Sequence, residues 1–103
     1  MDEQQKELYN QLIDILDRYT TKKINVNDIP FMTIRSTLQK IYPDKEFNTN
    51  LVAKTIVEYH TKIKPMAIRD MHNMAKSLGV EVNLSELIRA ECVDKLSKMI
   101  NIL

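Results

Sequence analysis

One glycine, Gly79, stands against three prolines in a chain of 103 residues. Tight hairpins draw on glycine for backbone with positive φ, so an all-β fold has almost no turn chemistry to use here. The lone glycine instead closes a helical stretch that Lys64-Pro65 opens. Ala67, Met71, Met74, Ala75 and Leu78 recur on one face with Ile68, while Arg69, Asp70, Asn73 and Lys76 fall mostly on the other. Proline suits a first helical turn, where its missing N–H has no partner to lose. Gly79 suits the left-handed position just past a helix end, and Val80 is placed for the apolar contact that often follows. The rest of the chain is organised around this helix.

Four further helices are expected. The first runs from about residue 3 to 19 on Leu8, Leu12, Ile15 and Tyr19, with Ile13 and Leu16 widening its stripe. Ile24-Asn25-Val26-Asn27-Asp28 reads as a loop, and Asp28 as the cap of a second helix. That helix carries Phe31, Ile34, Leu38 and Ile41 and stops at Tyr42-Pro43, because a residue before proline is steered out of helical geometry. Asn48, Thr49 and Asn50 are all capping types ahead of a third helix over residues 49–61. Its stripe is Leu51, Val52, Thr55, Ile56 and Tyr59, and residues 61–64 read as a short link.

After Gly79, Asn83 with Glu86 three places on resembles a capping box. Leu84, Leu87, Ile88, Cys92, Leu96 and Met99 then mark a long last helix, whose second half is apolar on further sides through Val93, Ile100, Ile102 and Leu103. With no repeat and no composition shift, the reading is a single all-α domain over 1–103, a compact bundle of about five helices. A 44% hydrophobic content is enough for one modest core.

Chemistry-bearing residues are sparse. A formal charge of +1 implies no bulk attraction to nucleic acid or anionic lipid. Cys92 is the only cysteine, so no internal disulfide is expected; it lies on an apolar helical face and reads as a small buried hydrophobe. His60 and His72 lack the paired spacing of metal ligands and read as surface or boundary residues. One glycine leaves no phosphate-cradling loop, and Asp14 with Asp17 or Glu91 with Asp94 read as solvated helix faces. No enzyme, cofactor or metal is implied. The start of the chain is acidic and polar, unlike a secretory signal, and no run is apolar for the length of a membrane span. An intracellular, cytoplasmic, soluble protein is expected.

Two surfaces remain as candidates. The last helix offers Lys95, Leu96, Lys98, Met99, Ile102 and Leu103 to another protein, the apolar residues at the centre and the lysines at the rim. The basic middle of the chain offers Lys54, Lys62, Lys64, Arg69 and Lys76 to phosphate, with only Glu58 and Asp70 opposing them over residues 51–79. A helix-turn-helix over 31–42 and 49–61 is the nucleic-acid version, with Asn50, Lys54 and Thr55 as its base-reading set. Self-association into a homodimer through the last helix is a third reading. Met66, Met71 and Met74 read as gap-filling in the core, and Met99 as the methionine placed to meet a partner.

Glu7-Leu8-Tyr9-Asn10, Leu38-Gln39-Lys40-Ile41-Tyr42 and the run from Leu51-Val52 through Tyr59 to Leu78-Gly79 resemble the immunity proteins that protect producers of pediocin-like bacteriocins. The resemblance implies a small cytoplasmic helical bundle. It also implies that the C-terminal part selects the bacteriocin countered, acting with the membrane permease that the bacteriocin targets. Lys95, Lys98, Met99, Ile100, Ile102 and Leu103 would be that part, although here it reads as a regular amphipathic helix.

Overall fold

The computed structural model describes residues 2–18, 30–79 and 81–102, and every regular element among them is helical. The elements are α1 (Glu3–Asp17), α2 (Phe31–Ile41), α3 (Thr49–Glu58), a π-helical turn (Tyr59–Ile63), α4 (Lys64–Leu78) and α5 (Leu84–Asn101). The π turn carries α3 into α4 without a break, so the described residues form four continuous helices, in keeping with the all-α reading of about five. The expected end of the first helix at Tyr19, the loop at 24–28, the Asp28 cap, the Val80 contact and Leu103 lie outside the described residues. Contacts divide the chain into two compact units, residues 1–56 and 57–103. The border falls inside a helix, at a point that no change in composition marks.

In the first unit, α1 starts at Asp2, whose carboxylate accepts from the Gln5 amide at 2.8 Å. The α1 face that is buried is Tyr9, Leu12, Ile13 and Leu16: the last three belong to the expected stripe, Tyr9 joins it, and Leu8 and Ile15 are half-buried beside it. α1 packs on α2, which buries Ile34, Leu38 and Ile41 as its spacing requires. Tyr9 and Tyr42 share a hydroxyl–hydroxyl hydrogen bond, with their rings edge to face at 6.3 Å. Phe47, fully buried, lies 6.4 Å from the Tyr42 ring. The Gln39 carboxamide donates to the carbonyls of Tyr42, Pro43 and Lys45, so one side chain holds the turn that follows α2. Of the three cap candidates before α3, Asn48 is the one used: its Oδ1 accepts from the Leu51 amide at 2.8 Å.

The second unit holds the π turn, α4 and α5. The expected link at 61–64 is helical instead, because nothing in Thr61-Lys62-Ile63-Lys64 breaks a helix and Ile63 belongs to a buried row with Tyr59, Ala67 and Met71. A row at every fourth residue drifts about 40° per step around an α-helix. The wider π turn rotates less per residue and so takes out part of that drift. It also admits Pro65, which has no N–H for the carbonyl four residues back and whose ring crowds that carbonyl. The Lys64 amide reaches back five residues, to the Tyr59 carbonyl. Gly79 ends α4 at φ 64°, as its position predicts, and donates to the Ala75 carbonyl at 3.2 Å. Asn83 then caps α5 by accepting from the Glu86 amide at 3.3 Å.

The buried hydroxyls of Thr37, Thr55 and Ser97 donate to carbonyls three or four residues back, at 2.8–2.9 Å.

Candidate interaction surface

α4 and α5 pack on each other as a helical hairpin. The apolar residues buried on these two helices are Ala67 and Met71 of α4 and Cys92, Leu96 and Ile100 of α5, at spacings of four. Ser97 is buried beside them. Leu96 is completely inaccessible, which corrects its assignment to an exposed partner-binding face. The reason is physical: α5 is apolar on more than one side, and periodicity alone does not say which side α4 takes.

Along one edge of the hairpin, the Lys95 ammonium sits 3.3 Å from the Asp70 carboxylate of α4 and 3.5 Å from Glu91 one turn earlier. The hydrogen bond that Lys95 donates to Asp70 foremost, with the charge of Glu91, holds the Lys95 pKa above its ordinary value despite partial burial. Arg69 lies 3.5 Å from the same Asp70 carboxylate. Lys95 is therefore an internal tie of the hairpin more than a rim contact. Lys98, by contrast, is well exposed and, among the described residues, pairs only with Asp94 on its own helix, at 3.0 Å.

On either side of the Asp70–Lys95 pair, residues recur at spacings of three or four that wind about 40° per four-residue step round each helix. Met66, Asp70, Met74 and Leu78 recur every four residues on α4, and Glu91, Lys95, Met99 and Ile102 recur at four, four and three on α5. Met66, Met74 and Leu78 are exposed, Leu78 to 57%, which corrects the reading of Met66 and Met74 as core gap-fillers; only Met71 of the three α4 methionines is buried. Met99 is half-buried and Ile102 is 86% exposed. The edge is thus a charged centre with accessible apolar side chains on both sides of it.

Lys62 pairs with Glu58 at 3.3 Å and Arg69 with Asp70, so two of the expected phosphate contacts already face carboxylates. Lys54 and Lys76 are exposed and Lys64 is half-buried. Thr55 is fully buried with its hydroxyl given to the Leu51 carbonyl, so it cannot read a base, which removes one residue of the helix-turn-helix set. His72 is exposed, and His60 is half-buried in the π turn with its ring edge-on to Tyr59 at 5.2 Å. Among the described residues, no three His, Cys, Asp or Glu side chains stand where they could hold a metal, and no helix is long and apolar enough to cross a membrane.

Sequence reasoning missed the exposed methionines and the tyrosine pair. For Tyr9 a signal was present, since it stands three, four and seven residues before Leu12, Ile13 and Leu16. No protein-family model, curated protein or solved structure matches this chain.

Proposed function

We propose that this chain is a small, non-enzymatic cytoplasmic protein that binds another protein through the exposed edge of its α4–α5 hairpin. The observation that carries the reading is an asymmetry of exposure. Among the described residues, the large apolar side chains left accessible are Met32 in the first unit and Val57, Met66, Ile68, Met74, Leu78 and Ile102 in the second. Single exposed apolar residues are ordinary, but four of them on one helical hairpin, Met66, Met74, Leu78 and Ile102, supply the apolar area that a protein-binding face requires. Unbranched methionines adapt to a partner's contour at small cost. Lys98, held by a solvent-exposed pair, supplies a rim charge.

The specific version is an immunity or inhibitor protein of bacterial or phage type, supported by the resemblance to the pediocin-like bacteriocin immunity proteins and by an exposed C-terminal Ile102. Its test is survival. Expressed in a strain sensitive to a pediocin-like bacteriocin, the chain should protect, and the double variant Leu78→Gln, Ile102→Gln should not, although it folds. Protection that the double variant retains in full would sink the assignment of the surface. An absence of protection by the unaltered chain, across a panel of such bacteriocins, would sink the immunity reading.

The nucleic-acid alternative draws on Lys54, Lys62, Lys64, Arg69 and Lys76, and the carboxylates facing Lys62 and Arg69 count against it. Binding that weakens steeply with added salt would favour it over an apolar interface.

A further inference from the structure

We draw no further inference here: the strongest candidate, the exposed apolar row of Met66, Met74, Leu78 and Ile102 along one edge of the α4–α5 hairpin, belongs to the surface already proposed, and nothing in the structure shows what covers it.

Discussion

The two units of this chain bury their apolar residues differently. In residues 1–56 the buried apolar set is the larger: Tyr9, Leu12, Ile13, Leu16, Ile34, Leu38, Ile41, Phe47, Val52 and Ile56. In residues 57–103 smaller side chains, Ala67, Cys92 and Ser97, share the core with Tyr59, Ile63, Met71, Leu96 and Ile100. The second unit adds an ion-paired edge and, among the described residues, leaves more large apolar side chains in water. A small residue such as Ala67 lets helices approach closely but removes little area from solvent, so the hairpin leans on fewer large anchors. The lesson is that apolar content and core are separate quantities. The second unit spends much of its apolar content on its surface.

Substitutions sharpen that contrast, and the largest effect is expected at Leu96. Leu96→Asp places an unpaired carboxylate where no water reaches, at a cost of several kcal/mol, at least about 4. Circular dichroism should show loss of helix; a folded Leu96→Asp protein would return this residue to the surface. In the first unit, Leu12→Ala should lower stability by about 2–5 kcal/mol in urea titration, because it opens a cavity in a fully buried layer. A loss below about 1 kcal/mol would mean that the larger core is no tighter than the hairpin.

Tyr9→Phe is expected to cost about 1 kcal/mol, the net worth of one hydrogen bond. It carries a pH signature as well. Burial first, and then the bond to Tyr42, raise the Tyr9 pKa far above its ordinary 10.0. The folded protein therefore keeps a proton that the unfolded chain releases, so this contribution is whole below pH 10 and is lost as pH rises past it. Urea midpoints measured from pH 9 to 11 should fall more steeply for the native chain than for Tyr9→Phe. Parallel curves would contradict the buried phenol.

Lys95→Met should have the smallest effect, about 1 kcal/mol or less, since its partners are partly solvated. The raised Lys95 pKa has the same sign: its support persists below the ordinary value of 10.5 and is lost above it. Added salt should narrow the difference between Lys95→Met and the native chain.

Much of this architecture is legible in the residues. The Ile34, Leu38 and Ile41 row, the Asn83 cap and the Gly79 terminus follow from local rules, and each is found where those rules put it. What local rules miss are choices made in three dimensions. Tyr9 and Tyr42 are thirty-three residues apart, and their hydrogen bond leaves no trace in either helix's pattern. The π turn hides because residues 61–64 carry no breaker until Pro65, which reads equally well as a helix start. For the surface, the sequence points to α5 but not to which of its apolar sides is spare. Leu96 goes to the core and Ile102 does not, a decision made by the position of α4.

The most direct test separates those two kinds of apolar residue within the one hairpin. Leu78→Gln with Ile102→Gln should leave helix content, unfolding midpoint and light-scattering mass as they are in the native chain, with stability changed by no more than about 0.5 kcal/mol per site. Such a result keeps both side chains on a surface available to a partner. Unfolding on the scale of Leu96→Asp would make them core, and a change of mass from dimer to monomer would show the edge covered by a second copy of the chain; either would contradict an edge left open for another protein.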